Sequence, residues 1–326
     1  MIVEWGLGEL PGVLARLGIE RPLVITDEVF ADVELPGTER RFHGAQPHAD
    51  LKGVRAALEV AGDADGLVAL GGGSVIDTTK AVSKELDVPI VSVPTTYAGA
   101  EWTHWYGNRD SETRTKPAGL DARVEGIVYE VDLTMALPPE PSGGTALNAL
   151  THAAEALYAS GRTTDSDEQA LAGTRKISSA LPRVMRDGSD REARLELLQG
   201  AAHAGAAMLA GMAAAHGIAQ VLGGRYGLPH GTMNAIALPP VLRFNLEDAG
   251  TAPAIHAFAE ALGADDPAAR VEELSALFGA GRLRDHGVPE EDLPEVAELS
   301  AARPATQANP RPVSADDALT ILRSVW

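Results

Sequence analysis

The chain has 326 residues, of which 45% are hydrophobic and 22% charged, a balance that supports a folded core and excludes an intrinsically disordered protein. Its 27 basic and 46 acidic residues give a net charge of −19, which argues against nucleic acid and anionic membranes as partners. It has no cysteine, so disulfides and thiolate chemistry are excluded. The opening MIVEWGLGEL does not have the pattern of a signal peptide, and no apolar run approaches the roughly 20 residues of a membrane span. We therefore expect a cytoplasmic protein.

Short apolar runs alternate with helical patterns over the first 140 residues. The runs predict strands at residues 23–26, 67–70, 89–93 and 127–129. The spacing of apolar residues predicts helices at 50–60 and 75–86. Strand and helix alternating in this way predict a parallel sheet covered by helices.

The pattern changes after Leu137. The segment PPEPSGG at 138–144 is rich in helix breakers, and the sequence beyond it is rich in Ala and Leu. Helices are predicted at residues 145–159, 166–186, 191–215 and 252–262. Because single cores stop growing beyond roughly 250 residues, we predict two domains, an α/β domain at 1–140 and a helical domain at 141–326.

Two polar segments follow predicted strands. Gly71 to Ser74 separates a strand from a helix, where glycines let the backbone approach a phosphate and the helix N-terminus offers free N–H groups. The segment PTTYAGAEWT at 94–103 follows the third strand, at the edge where open α/β sheets bind ligands. A tight structural turn and a polar loop are the alternatives.

Three histidines and an asparagine form the second candidate site. Asn148 and His152 are four residues apart on a predicted helix and share a face, while His216 and His230 lie in a later helical region. If these side chains converge, they form a metal-binding or substrate-polarising cluster. Otherwise each histidine is an ordinary buried core residue.

Four motifs together resemble the iron-dependent alcohol dehydrogenase superfamily, and within it the maleylacetate reductase branch. They are GGGSVIDTTK at 71–80, VPTTYAGAEWT at 93–103, TALNALTHAAEALY at 145–158 and HGIAQVLGGRYGLPHG at 216–231. The resemblance implies the fold of that superfamily, which is similar to dehydroquinate synthase. It consists of an α/β nucleotide-binding domain with a parallel sheet, an all-helical C-terminal domain and a cleft between them. It also implies a homodimer.

The resemblance implies NAD as the cofactor, with its pyrophosphate on Gly72, Gly73 and Ser74. Other residues implied along the dinucleotide are Asp77, Thr95, Thr96, Ala100 and Thr103. Asp27 matches the position that meets the adenosine ribose, where a carboxylate favours NAD over NADP. Arg114 or Lys116 matches a basic residue near the phosphates or an acidic substrate.

The positions that match the family's metal ligands are Asn148, His152, His216 and His230. Since an amide replaces the usual carboxylate, four neutral ligands would face a divalent cation. We therefore predict a metal-independent protein that holds well under one metal ion per chain. A further family histidine, implicated in proton delivery, is replaced by Gln220.

The function that the resemblance implies is a nicotinamide-dependent reductase that transfers hydride to a small oxo-acid or conjugated carbonyl compound. The catalytic candidates are His152, His216, His230, Asn148 and Gln220, with one imidazole supplying the proton. Alternatives are a non-redox lyase, cyclase or condensing enzyme on the same scaffold, a metal-dependent alcohol or polyol dehydrogenase, and a silent binding protein.

Overall fold

The structure is a computed structural model that describes residues 1–109 and 118–326. Arg114 and Lys116 lie outside the described residues. The chain divides into two compact units, Met1–Thr134 and Met135–Trp326. The first is an α/β unit and the second is helical, which confirms the predicted fold class. Domain limits at 140 and 141 stay a prediction.

The first unit is built on a parallel sheet in the order β1-β8-β5-β4-β2-β3, and a short antiparallel pair, β6 and β7, lies outside it. The strands are β1 (Ile2–Trp5), β2 (Pro22–Thr26), β3 (Arg40–Phe42), β4 (Gly66–Gly71), β5 (Ile90–Pro94), β6 (Tyr106–Gly107), β7 (Ala118–Gly119) and β8 (Val124–Tyr129). The four predicted strands correspond to β2, β4, β5 and β8. Because both faces of a parallel sheet are covered, these central strands are apolar and nearly continuously buried. The edge strands β1 and β3 were missed because they are short and contain charged residues.

Three helices accompany this sheet, α1 (Leu10–Arg16), α2 (Leu51–Ala61) and α3 (Gly73–Leu86). Apolar side chains of α1 pack with those of the central strands in one buried cluster. From β2 the chain moves outward to β3, and from β4 it moves the opposite way to β5 and β8. The change of direction lies between β2 and β4, and the carboxyl ends of strands at such a point form a crevice that binds ligands.

The second unit consists of helices joined by short turns. They are α4 (Pro139–Ala156), α5 (Thr164–Arg186), α6 (Arg191–Ala207), α7 (Ala214–Tyr226), α8 (His230–Leu246), α9 (Ala252–Leu262), α10 (Pro267–Ala276), α11 (Leu293–Ala301), α12 (Pro304–Gln307) and α13 (Ala315–Ser324). The breaker segment at 138–144 belongs mostly to α4. Pro139 is the first residue of this helix, a position whose N–H has no partner within the helix, so a proline costs no hydrogen bond there.

The predicted helix over 191–215 is wrong, because the chain breaks there. α6 ends at Ala207, a 3-10 turn follows, and Gly211 adopts a φ of 134° that ends the turn. The segments Arg191–Ala210 and Ala214–Tyr226 are bent by 102°. Within the described residues no single helix is long and apolar enough to span a bilayer, and only this bent pair passes by length and composition.

Close packing of α4 on α8 depends on glycines. A Cβ atom added to Gly231 would lie 2.3 Å from the carbonyl oxygen of Gly144, so only glycine fits at this crossing. The crossing lies one turn before Asn148 on α4 and beside His230 at the start of α8. It therefore brings the predicted histidine and asparagine positions of the two helices together.

Candidate active site

The glycine segment of the first unit forms the turn between β4 and α3. Gly72 is the N-terminal cap of α3 and, as a glycine, has no side chain to accept hydrogen bonds from the first turn of the helix. A Cβ atom on Gly72 would lie 2.9 Å from Cγ2 of Thr96. The bare backbone and the helix N-terminus together offer N–H groups and partial positive charge to an anion.

Asp27, Gly72 and Thr95 follow three adjacent strands. Residue pairing aligns Thr26 with Leu70 and Gly71 with Pro94, so the three residues lie at the same edge of the sheet. Thr95 is buried, while Asp27 accepts a hydrogen bond from the Val29 backbone N–H at 3.1 Å. This edge is the ligand-binding edge expected from the topology.

Ser74 lies next to a cavity of about 510 Å³ in the same unit. Its hydroxyl accepts a hydrogen bond from the backbone N–H of His48, a residue that lines the cavity with Phe42 and Lys52. The volume falls within the usual range of small-molecule and cofactor pockets. The glycine turn does not line this cavity itself and is linked to it through the Ser74–His48 hydrogen bond.

Three further predicted cofactor residues, Asp77, Ala100 and Thr103, surround the buried ammonium group of Lys80. Lys80 Nζ donates to Ala100 O at 2.7 Å, Thr103 Oγ1 at 2.7 Å and Trp105 O at 2.9 Å. Its distance to the nearer carboxylate oxygen of Asp77 is 3.7 Å. Burial lowers the pKa of Lys80, while Asp77 acts in the opposite direction. This lysine fixes the loop after β5, a role that the sequence analysis missed.

The loop after β5 has a second buried anchor at Glu101. Tyr129 donates its hydroxyl hydrogen to Glu101 Oε1 at 2.8 Å, and the Trp102 indole N–H donates to the same Tyr129 oxygen at 2.8 Å. Burial raises the pKa of Glu101. Thr96 and Ala100, which are half-buried, are thus carried on a loop held from inside.

The three predicted histidines converge in the second unit. The ring centroids of His152 and His216 are 4.1 Å apart and those of His216 and His230 are 5.8 Å apart. Asn148 and Asn234 join them, with Asn234 Nδ2 donating to Asn148 Oδ1 at 2.6 Å. The convergence places the four predicted residues in one cluster rather than in separate parts of the core.

Glu155 orients His216. Its Oε2 lies 2.6 Å from His216 Nδ1 and accepts from the Ala213 N–H at 2.7 Å, while Oε1 accepts from the Ala215 N–H at 2.8 Å. Both side chains are fully buried. The carboxylate thus binds the N-terminus of α7, and His216 Nε2 is buried with no hydrogen-bond partner. The sequence analysis missed Glu155, although it lies three residues after His152 within a quoted motif.

The other two imidazoles also have a nitrogen facing the cluster. His152 Nε2 is 3.2 Å from Asn148 Nδ2, and His230 Nε2 is 3.1 Å from Asn234 Nδ2. With the amides as donors, these nitrogens carry lone pairs. Burial, and after it the neighbouring rings of His216 and His230, lower the pKa of His152 well below its ordinary value. The cluster therefore contains a neutral imidazole at neutral pH.

Gln220 lies one turn after His216 on α7 but bonds elsewhere. Its Oε1 accepts a hydrogen bond from Arg303 Nε at 3.2 Å, and both residues line a cavity of about 290 Å³ with Met212, Pro304 and Ala305. Nothing in the sequence indicated that Arg303 would bond to Gln220, a residue only one turn from His216.

Two family models match the chain, "Iron-containing alcohol dehydrogenase" over residues 2–124 and "Fe-containing alcohol dehydrogenase family, C-terminal" over residues 143–326. The chain belongs to the iron-containing alcohol dehydrogenase family. Maleylacetate reductase 1 of Cupriavidus pinatubonensis is 36% identical to it, covering 96% of this chain and 90% of the relative. Maleylacetate reductase of Pseudomonas knackmussii is 35% identical, covering 98% and 93%.

Solved structures of this iron-containing family superpose along the whole chain. The crystal structure of maleylacetate reductase from Rhizobium sp. strain MTP-10005 has a TM-score of 0.89 and 31% identity, covering 100% of this chain and 95% of that one. The structure of 1,3-propanediol oxidoreductase has a TM-score of 0.92 and 26% identity, covering 100% and 98%. With the homologous reductases, these matches establish an oxidoreductase.

The prediction of a metal-independent protein is wrong, because the chain belongs to an iron-containing family. That prediction counted only the neutral side chains at the four matched positions and overlooked the carboxylate of Glu155. A carboxylate that accepts from a ligating histidine raises the basicity of the imidazole and brings the negative charge that a cation needs.

The histidine cluster offers imidazole nitrogens, a kind of ligand that suits an iron ion. His216 Nε2 is buried and unpartnered, and the Nε2 atoms of His152 and His230 face amides. In the described part of the chain, no three His, Cys, Asp or Glu side chains are already arranged around one point.

Proposed function

We propose that this oxidoreductase uses NADH to reduce a small oxo-acid, a substrate class suggested by its similarity to the maleylacetate reductases named above. The observation that carries the proposal is the imidazole cluster, in which His152 and His216 are buried and His216 is held by Glu155. The 36% identity to a maleylacetate reductase over 96% of the chain supports the substrate class. The non-redox enzyme and the silent binding protein give way to an oxidoreductase on the same evidence.

We assign the dinucleotide to the first unit. The pyrophosphate binds the N–H groups of Gly72, Gly73 and Ser74 at the start of α3, where the helix dipole favours an anion. Asp27 accepts from the ribose hydroxyl groups and selects NAD over NADP, since a carboxylate repels a 2′-phosphate. Support comes from the position of these residues at one edge of the sheet. Arg114 and Lys116 keep their proposed contact with phosphates or substrate.

We assign the substrate to the histidine cluster of the second unit. His152, His216, His230 and Asn148 would hold iron, which when bound polarises the substrate oxygen. A neutral imidazole orients the substrate by hydrogen bonding, and Glu155 keeps His216 in a single tautomer. The His152 and His216 rings are buried, whereas His230 at the start of α8 is exposed, so the substrate reaches the cluster from the His230 side in this proposal.

The reaction consumes one hydride and one proton. The nicotinamide ring delivers the hydride to a carbonyl carbon or to the far carbon of a conjugated double bond, and NADH becomes NAD. A proton taken up from solvent, which is its source in this proposal, then reaches the oxygen or the neighbouring carbon, because an imidazole that is neutral or binds iron has no acidic proton to give near neutral pH. Gln220 cannot take that role, because an amide does not exchange a proton near neutral pH.

The test is an anaerobic reaction of the iron-loaded protein with NADH and maleylacetate, followed by nicotinamide absorbance. We expect NADH consumption with maleylacetate and little oxidation of 1,3-propanediol with NAD. Oxidation of 1,3-propanediol without reduction of maleylacetate would favour a polyol dehydrogenase. The TM-score of 0.92 to 1,3-propanediol oxidoreductase supports that second candidate. We also propose a homodimer, which light scattering after gel filtration decides.

A further inference from the structure

The cavity beside Gln220 and Arg303 lies close to the histidine cluster without being part of it. Gln220 follows His216 by one helical turn, which places their Cβ atoms roughly 5–6 Å apart on the same face of α7. Helix α12, which starts directly after Arg303, packs on α7 at Gly217, the neighbour of His216. A Cβ atom on Gly217 would lie 1.9 Å from Thr306 Oγ1, so this close approach depends on glycine.

Arg303 differs in its partners from several arginines of the helical unit. Arg183, Arg225, Arg243 and Arg311 each pair with a carboxylate. Among residues 1–109 and 118–326, Arg303 has a side-chain bond to Gln220 but no ion pair, although the chain has 46 acidic residues. Its Nε is engaged by the amide, so its two terminal nitrogens remain for another ligand.

We propose that Arg303 and Gln220 form the subsite that binds a carboxylate group of the substrate. A guanidinium group binds a carboxylate through two parallel N–H···O bonds, and Gln220 fixes the plane of this guanidinium without neutralising its charge. The remaining lining, Met212, Pro304 and Ala305, carries no charge that would compete with a substrate for the exposed guanidinium. A cavity of about 290 Å³ suits a small organic acid.

This subsite deepens the proposed function and rests on it. If Arg303 binds one carboxylate of an oxo-dicarboxylate, the oxo group a few carbon–carbon bonds away would face the imidazole of His216, one turn back along α7. The chain thereby selects acids over the neutral alcohols of polyol dehydrogenases. Gln220, which has no proton to deliver, acts here as a positioning residue for Arg303.

The test compares Arg303→Met, Arg303→Lys and Gln220→Glu with the exposed-arginine control Arg186→Met on α5. Losing a charge-assisted carboxylate contact should raise KM for maleylacetate about 10- to 100-fold in Arg303→Met, with KM for NADH unchanged. Arg303→Lys should retain part of the affinity, and Gln220→Glu should raise KM because its carboxylate competes with the substrate. Arg186→Met should match the parent protein.

Calorimetry with maleate, a dicarboxylate without the oxo group, separates this proposal from the proposed function. We expect maleate to bind the parent protein and to bind Arg303→Met more weakly by the same factor as the change in KM. An unchanged KM and an unchanged maleate affinity in Arg303→Met would overturn the subsite, as would a parent protein that does not bind maleate. If maleate binding depends on Arg303 but maleylacetate oxidises no NADH, the subsite stands and the proposed reaction fails.

Discussion

Replacing Glu155 by Gln tests how much the cluster depends on one buried carboxylate. The two oxygens of Glu155 accept four hydrogen bonds. The donors are the backbone N–H groups of Ala213, Ala215 and His216 and the ring Nδ1–H of His216. The amide of Gln has one acceptor oxygen, so its NH2 group must face donors whichever way it turns. Two of the four bonds are lost, and each bond to a charged group contributes about 1.5–3 kcal/mol. We therefore expect the free energy of unfolding to fall by about 3–6 kcal/mol.

The measurement is urea denaturation of the apoprotein in the presence of a chelator, so that bound metal does not contribute to the free energy of unfolding. The control is Glu272→Gln, which removes an exposed pair with Arg243 and should cost less than about 1 kcal/mol. Iron affinity of Glu155→Gln should also fall, by about 10- to 100-fold. The two variants losing equal stability would refute the assignment of Glu155 as the anchor of His216.

Three other predictions concern the first unit. Lys80→Met leaves three acceptors and the buried Glu101 without their cation, so we expect about 3–5 kcal/mol less stability in urea denaturation. An unchanged midpoint would contradict this. Gly72→Val places a side chain against Thr96 and over the phosphate site, and should weaken NADH binding at least about tenfold in fluorescence titration, whereas Gly12→Val, where nothing lies within 4 Å, should not. Asp27→Ser removes the charge that repels a 2′-phosphate and should shift the NADP-to-NAD ratio of kcat/KM upward by about tenfold, and an unchanged ratio would remove Asp27 from the ribose site.

Much of the α/β unit was predictable because its signals are local. The apolar runs of β2, β4, β5 and β8 are buried on both faces, so each is visible without knowledge of its neighbours. The glycine turn was placed correctly between β4 and α3 for the same reason. The edge strand β3 was missed because it consists of three half-buried residues, two of them arginines.

Residues that act across long stretches of chain were not predictable. Lys80 meets its acceptors 20 to 25 residues later, and Glu155 meets α7 about 60 residues later. Arg303 and Gln220 are separated by 83 residues. Nothing in the local pattern distinguishes these polar residues from those on a solvated face, and the omission of Glu155 led to the wrong prediction about metal.

Length, composition and charge by themselves determined that this is a folded protein with room for two domains and with no thiol chemistry. Periodicity and the four motifs determined the order of strands and helices and the residue types of the site, because these depend on neighbours along the chain. Only the tertiary structure decided that three imidazoles share one cluster, that a carboxylate orients one of them, and that the glutamine beside them binds an arginine. Such contacts depend on how helices cross, which here requires glycine at Gly217 and Gly231.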